Sequence, residues 1–298
     1  MRRSSSWLTK SKLYVAVLAF TFPALIFYLV FKIWPIFYGA YLSLHKWNFV
    51  STPQWVGVAN YASMFDKKQF VLALKNTGIY ILAMLPFFIV IPLMIALAVE
   101  SIKSRFFQNF AKTMMFVPTI LAFSIISLVW LWMYNEKYGV INNILRIFGL
   151  EGYAWTVDKR TAMFSVILVS GWKSLGSNMI LFIAGLVNIP QEYVEASYID
   201  GCNAWQCFWK IKLPLLSSTM VYMITTSIVL ASETVFAPIN LITLGGPNWA
   251  SSNLTYLIYK YAFSYFNIGM ASAIALFTFV LFVIITLGLN KGLRRFKD

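Results

Sequence analysis

The sequence predicts an all-α membrane protein with six transmembrane helices. Of its 298 residues, 60% are hydrophobic and only 11% are charged, and the mean hydropathy is +0.72. A soluble domain of this length is about one quarter charged. Apolar runs of ~20 residues recur along the chain, and this is the length a helix needs to cross a bilayer. The predicted spans cover residues 13–34, 75–99, 113–134, 162–187, 218–241 and 268–289.

The charge distribution predicts that both termini are cytoplasmic. The formal net charge is +14, which would also suit a nucleic-acid-binding protein. However, the basic residues flank apolar segments instead of covering one face, as topology signals do, and we therefore expect no nucleic-acid partner. Residues 1–12 carry four basic residues and no acidic one, and the C-terminal tail reads KGLRRFKD.

Three regions follow from this topology. Residues 1–74 hold the cytoplasmic N-terminal arm, the first span and an outer segment. Residues 75–290 hold a core of five spans, with a cytoplasmic loop at residues 189–216, and residues 291–298 form the basic tail. Proline stops a helix in most settings, so Pro35 is predicted to end the first span. Pro86 and Pro92 are predicted to kink the second.

Several classes of chemistry have no support in the sequence. Cys202 and Cys207 lack the second pair of ligands that a zinc site needs. There is no P-loop motif, so no ATP site and no other cofactor is expected in this chain. One histidine, His45, and no nucleophile with a partner base argue against an enzyme. A secondary transporter would need ion-coupling residues and paired broken helices at mid-membrane in the two halves. Lys173 and Glu233, predicted inside the membrane, leave this alternative open but do not support it.

The sequence of the loop at residues 189–216 predicts two short helices joined by a tight turn. Pro190 is suited to a helix start and Glu195 to an early helical turn. Gly201 is expected to end the first helix with a positive φ, and Asn203 to cap the second. Pro214 is predicted to close the second helix before the fifth span. Aromatic side chains on such short helices need either the bilayer surface or a protein partner to cover them.

This loop also carries a family resemblance. Glu195-Ala196-Ser197, three residues, Gly201, nine residues and Ile211-x-Leu213-Pro214 resemble the EAA loop of ABC importer permeases. Ser197 stands in place of the second alanine of that motif. Flanking segments are similar to the carbohydrate-uptake branch, of maltose and glycerol-phosphate type. They are Trp34-Pro35, Trp55-Val56-Gly57 before Asn60-Tyr61, Ala184-Gly185-Leu186 before Ile189-Pro190, and Leu244-Gly245-Gly246-Pro247.

The resemblance implies a type I ABC importer transmembrane fold in a bacterial cytoplasmic membrane. It implies a second, homologous permease as heterodimer partner, two copies of a cytoplasmic ATPase that hold ATP and magnesium, and an extracytoplasmic binding protein. The substrate would be a sugar, an oligosaccharide or a polyol phosphate. The implied coupling residues are Glu195, Ala196 and Ser197 in a groove of the ATPase, Gly201 at the turn, and Ile211, Leu213 and Pro214 at the fifth span.

Two charges are predicted to lie inside the membrane. Lys173 falls in the fourth span and Glu233 in the fifth. A charge at the centre of a spanning helix costs roughly 2.5–3.5 kcal/mol on insertion scales, so both should face the bundle interior or water. One interpretation makes them a structural charge pair. The other places one or both on the substrate path, with Asn178 nearby and Trp172 available to stack on a sugar.

Overall fold

The computed structural model describes residues 5–294. It is almost entirely helical, with one two-residue strand pair, β1 (His45–Lys46) against β2 (Gln54–Trp55). Five helices are long and apolar enough to cross a membrane, and a bent pair of helices makes a sixth span. The prediction of an all-α, six-span membrane protein is confirmed.

The first two spans are longer than the sequence predicted. The first comprises α1 (Ser5–Tyr28), a π-helical turn (Leu29–Ile33) and α2 (Trp34–Ser43). After α3 (Ala59–Phe65), the second comprises α4 (Lys68–Leu85), a π-helical turn (Pro86–Val90) and α5 (Ile91–Glu100). The prediction that Pro35 ends the first span is wrong, because the helix continues to Ser43.

The π-helical turns explain how these helices pass through proline. Proline lacks an N–H, and its ring collides with the carbonyl oxygen four residues earlier in a regular α-helix. Just before Pro35, the N–H of Trp34 instead bonds to the carbonyl of Leu29. Just before Pro92, the N–H of Ile91 bonds to the carbonyl of Pro86. The wider turn shifts the hydrogen-bond register, so the helix bends without ending.

The third span is not one helix. It consists of α6 (Arg105–Ile120) and α7 (Phe123–Met133), which are bent by 96° at the residues between them. The prediction of a single helix over residues 113–134 is therefore wrong. Leu121 and Ala122 have extended backbone at the bend. Neither is glycine or proline. The nearest proline, Pro118, lies inside α6, so residue type does not mark the position of the break.

The remaining elements complete the bundle. Their bounds are α8 (Val140–Ile147), α9 (Ala162–Val187), α10 (Gln191–Ile199), α11 (Ala204–Cys207), a π-helical turn (Phe208–Lys212), α12 (Leu213–Leu215), α13 (Ser217–Thr234), α14 (Phe236–Pro238), a π-helical turn (Ile239–Thr243), α15 (Leu254–Tyr259), a π-helical turn (Lys260–Ser264) and α16 (Ile268–Arg294). Helix α9 is the fourth span, Ser217–Thr243 the fifth and α16 the sixth.

The chain divides into two compact units, and the smaller comprises Met1–Met64 and Lys260–Phe277. Its outer segment is built around Asn60, whose side-chain amide donates to the carbonyls of Ser43 (2.8 Å) and His45 (3.0 Å). The N–H of Ile268 donates to the carbonyl of Trp47 at 2.9 Å. These bonds fasten the segment after the first span to the start of α16.

The larger unit comprises Phe65–Tyr259 and Thr278–Asp298, and the fourth span is its centre. In the most apolar stretch of the fourth span 61% of residues are buried, whereas the first span has none buried in the corresponding stretch. Phe182 of α9 belongs to one core cluster with Tyr80 of α4 and Met223 of α13. The fourth span is therefore the element around which this unit packs.

Candidate functional site

The loop between the fourth and fifth spans has a defined turn at Gly201. Helix α10 ends there, with Gly201 at φ +83°. The N–H of Cys202 bonds to the carbonyl of Ser197 at 2.9 Å and that of Gly201 to Tyr198 at 3.1 Å. This pair of bonds is the Schellman motif, which uses glycine because a left-handed residue with a Cβ is strained. The predicted conformation of Gly201 is confirmed.

The second helix of the loop starts at a capping box. The side chain of Asn203 accepts from the N–H of Gln206 at 2.9 Å, and the Gln206 side chain accepts from the N–H of Asn203 at 3.0 Å. The predicted cap at Asn203 is confirmed. Each bond satisfies a donor that a helix start otherwise leaves free, so the turn between the two helices is fixed at both ends.

Pro214 does not close the second helix, and this prediction is wrong. A π-helical turn precedes it, in which the N–H of Leu213 bonds to the carbonyl of Phe208. The helical path continues through α12 and is interrupted only at Leu216, a turn residue whose N–H still bonds to Lys212 at 2.9 Å. The loop therefore leads into the fifth span with nearly continuous backbone hydrogen bonding.

The EAA residues do not share one exposed surface. Glu195 is exposed and accepts a hydrogen bond from Gln191 at 2.8 Å, and Ala196 is exposed beside it. Ser197 is only 4% exposed, and its hydroxyl donates to the carbonyl of Val194 at 2.7 Å. The expectation that all three residues enter a groove of the ATPase is therefore corrected, because Ser197 packs inside this chain.

Four large aromatic side chains of the loop are exposed. Tyr193, Tyr198, Trp205 and Trp209 are each about half exposed or more. Trp205 and Trp209 contact each other with ring centroids 5.6 Å apart. Ile211 and Leu213 are half-buried, and Leu213 packs against the core, whereas Pro214 is exposed. The loop thus combines residues packed on the core with exposed aromatic side chains.

One ion pair links this loop to the second span. Lys212 Nζ lies 3.4 Å from Glu100 Oε2. Beside it a cavity of about 730 Å³ separates α10 from the ends of α5 and α9, with Leu97, Leu186 and Val194 among its lining. The sequence did not signal this pair, because its members are far apart in the chain.

The structure records no side-chain hydrogen bond or ion pair among the four candidate path residues, all of which lie in the described part of the chain. Lys173 and Asn178 are each 7% exposed, whereas Trp172 is 39% exposed and its ring lies 5.7 Å from that of Trp130. Glu233 is exposed on the fifth span. Lys173 Nζ donates to the carbonyl of Thr119 at 3.0 Å. The predicted charge pair is therefore wrong, because the ammonium is directed to the third span and not to Glu233.

Comparison with known proteins shows the family. The family described as "Binding-protein-dependent transport system inner membrane component" matches residues 61–296. The probable ABC transporter permease protein YurN of Bacillus subtilis is 34% identical over 275 residues, which are 91% of this chain and 93% of the relative. The multiple sugar-binding transport system permease protein MsmF of Streptococcus mutans is 32% identical, over 92% of this chain and 93% of the relative.

Further similarities concern a glycerol-phosphate permease and the fold. The sn-glycerol-3-phosphate transport system permease protein UgpA of Agrobacterium fabrum is 29% identical over 89% of each chain. A crystal structure of a bacterial ABC transporter that imports the acidic polysaccharide alginate superposes with a TM-score of 0.85 and 23% identity, over 98% of this chain and 100% of that one. The chain therefore belongs to the binding-protein-dependent transport system inner membrane components and is a multi-pass permease subunit of an ABC importer.

Proposed function

We propose that this permease takes up a sugar, an oligosaccharide or a related polyol phosphate. Two observations support this substrate class. MsmF is named for multiple sugars, UgpA for sn-glycerol 3-phosphate, and the superposed importer carries alginate. The flanking motifs of this chain resemble the same branch of permeases. The substrates named for these relatives leave both a sugar and a phosphorylated polyol as candidates for this permease.

The loop between the fourth and fifth spans is the proposed point of force entry. The observation that carries this proposal is its construction as one stiff unit, with a Schellman turn at Gly201, a capping box at Asn203 and nearly continuous hydrogen bonding into the fifth span. A flexible loop would absorb a displacement, whereas a hydrogen-bonded one transmits it. A cytoplasmic ATPase that moves α10 would therefore move α13.

The proposed ATPase contact is formed by the exposed residues of α10 and α11. Glu195 and Ala196 of α10 are exposed, as are the aromatic side chains of Tyr193 in α10 and Trp205 in α11. Aromatic side chains that stay exposed in one chain are common anchors of protein interfaces. We propose that two ATPase copies bind, one to this loop and one to the corresponding loop of a second, homologous permease. A binding protein would deliver the substrate from outside.

The proposed substrate path runs along the exposed side of the fifth span. Glu233 is exposed and forms no ion pair within the described chain, so lipid contact would be costly. Water or the second permease is the favourable surrounding for it. We propose that Glu233 and Trp172 line this path, while the buried Lys173 and Asn178 shape it from behind.

Isolation of the tagged chain from its native membrane tests the proposal. A second permease and an ATPase should co-purify, and uptake into vesicles should need ATP inside and the binding protein outside. The Glu195→Arg variant should lose the ATPase, whereas Glu151→Arg, which reverses an exposed carboxylate in an outer segment, should retain it. Uptake by this chain alone, driven by an ion gradient, would contradict the proposal.

The ligand of the co-purified binding protein decides between the two substrate classes. Binding of neutral oligosaccharides with no effect of glycerol phosphate would assign a sugar importer, and the reverse preference would assign a polyol phosphate importer. Replacement of Glu233 by glutamine should lower uptake at least several-fold in either case, with the complex still assembled. Unchanged uptake by that variant would remove Glu233 from the path.

A further inference from the structure

A single side chain of the fourth span, that of Lys173, contacts the residues on both sides of the bend in the third span. Lys173 is 7% exposed. Its Nζ donates to the carbonyl of Thr119, near the end of α6, at 3.0 Å. The same ammonium lies 4.2 Å from the ring centroid of Phe123, the first residue of α7. Lys173 therefore contacts both helices that meet at the bend.

The backbone geometry explains why a donor is needed there. In an uninterrupted α-helix the carbonyl of Thr119 would accept from the N–H four residues later, that of Phe123. The extended residues Leu121 and Ala122 lie between them and separate the two helices. A carbonyl without a donor is costly inside a membrane, because no water is there to replace the lost hydrogen bond. The ammonium of Lys173 takes the position that the backbone donor would have filled.

The contact is reciprocal. The hydroxyl of Thr119 donates to the carbonyl of Lys173 at 3.1 Å. Three residues further along α9, a Cβ added to Gly176 would fall on the carbonyl oxygen of Met115 and within 2.8 Å of Phe116 Cα. This close approach keeps the last turns of α6 directly on the fourth span. The bond from Lys173 is thus made at a rigid crossing of two helices.

The surroundings of the buried ammonium also stabilise its positive charge. No carboxylate of the described chain forms a salt bridge with it. The C-terminal end of a helix carries a partial negative charge from its free carbonyls, which favours a cation in the last turn. The face of an aromatic ring adds a second attraction, worth more when the cation is desolvated. The end of α6 and the ring of Phe123 together offset part of the cost of burying Lys173.

We propose that Lys173 is a positioning residue that holds the bend of the third span. Its bond to Thr119 and its contact with Phe123 keep α6 and α7 in their bent arrangement. In this role the ammonium contacts the protein backbone and not the substrate. The inference concerns the shape of the permease and does not depend on which substrate it carries.

Distance measurement across the bend tests this proposal. Spin labels would be placed at Phe110→Cys on α6 and Trp132→Cys on α7, both exposed positions, in the full-length chain without its native cysteines and in lipid nanodiscs. With a rise of about 1.5 Å per residue, the two backbone positions are about 22 Å apart at a 96° bend and about 33 Å apart in a straight helix. Double electron–electron resonance separates these distances.

The expected result is a shift of the distance distribution toward longer values in Lys173→Met. Lys173→Arg, which keeps a cationic donor, should restore the short distance. Lys75→Met is the matched control, because it makes the same change at an exposed lysine of a spanning helix, and it should leave the distance unchanged.

An unchanged distribution in Lys173→Met would overturn the proposal, as would a long distance that Lys173→Arg fails to restore. If the methionine variant cannot be isolated folded, the same measurement on Lys173→Gln decides, since the shorter amide does not reach Thr119. The measurement uses neither substrate nor ATPase. A negative result therefore leaves the proposed transport function untouched, and a failure of uptake leaves this proposal untouched.

Discussion

Gly176 shows how a single residue sets the distance between two spans. It lies in α9 where the helix crosses α6, and the Met115 carbonyl occupies the place where a side chain would begin. Glycine costs helix stability relative to alanine, by roughly 0.5–1 kcal/mol. The close crossing offsets that cost, because small residues let spanning helices approach each other.

We expect Gly176→Ala to destabilise the permease by about 1–3 kcal/mol, since an added Cβ overpacks this crossing. Gly78→Ala is the matched control: Gly78 also lies in a spanning helix, but nothing lies within 4 Å of its added Cβ. That change should be neutral or slightly stabilising. Thermal unfolding of the two purified variants in detergent measures the difference, and equal melting temperatures would contradict the assignment.

At Gly201 the constraint is the backbone and not the surrounding space. Its φ is +83°, and no atom lies within 4 Å of an added Cβ. A residue with a Cβ pays about 1–2 kcal/mol for this conformation, and asparagine pays less. We expect Gly201→Val to leave the importer assembled but to lower transport-coupled ATP hydrolysis, while Gly201→Asn stays close to wild type. ATP hydrolysis in proteoliposomes, with and without the binding protein, is the measurement.

Single side chains were only partly predictable. The conformations of Gly201 and Asn203 follow from their own neighbours in the chain, and both predictions were confirmed. Of the two interpretations of Lys173, the charge pair with Glu233 is wrong. Its partner Thr119 could not be predicted, because it is 54 residues away and its carbonyl lacks a backbone donor only because of the bend. The burial of Ser197 likewise depends on how α10 lies on the rest of the unit.

At the scale of elements, proline was the main source of error. Pro35 and Pro214 were expected to end helices, yet each follows a π-helical turn that ends two residues earlier. The wider turn moves the carbonyl that the proline ring would strike. Whether a proline ends a helix or bends it therefore depends on the hydrogen bonds of the preceding turn, which the residue type alone does not reveal.

The capping box gives a prediction at the same scale. Asn203→Ala removes the bond that the Asn203 side chain accepts from the N–H of Gln206 at the start of α11, and loss of such a cap costs about 1 kcal/mol. Amide exchange over residues 204–212 should become about fivefold faster. Ser104→Ala is the control, because Ser104 is an N-cap without a side-chain hydrogen bond. Equal protection of the loop in wild type and Asn203→Ala would show that the cap does not stiffen it.

For the molecule as a whole, the topology can be tested with cysteine chemistry. Cys202 lies in the loop assigned to the cytoplasm and is partly exposed. A membrane-impermeant maleimide should label it in inverted vesicles but not in intact cells. Val50 is 91% exposed in the outer segment. Val50→Cys, in a chain with Cys202→Ser and Cys207→Ala, should show the opposite pattern. Labelling of Cys202 from outside would refute both the topology and the proposed site of ATPase docking.

The sequence by itself determined the membrane class, the six crossings and the turn chemistry of the cytoplasmic loop. The lengths of the apolar segments, the charges that flank them and the capping residues act over a few neighbouring positions, so these features can be predicted from the sequence. Only the tertiary structure decided that the third span breaks at Leu121 and Ala122, that Lys173 bonds to Thr119, and that Ser197 is buried. Each depends on contacts between helices far apart in the chain, and a carbonyl in the membrane accepts whichever donor the packing brings to it.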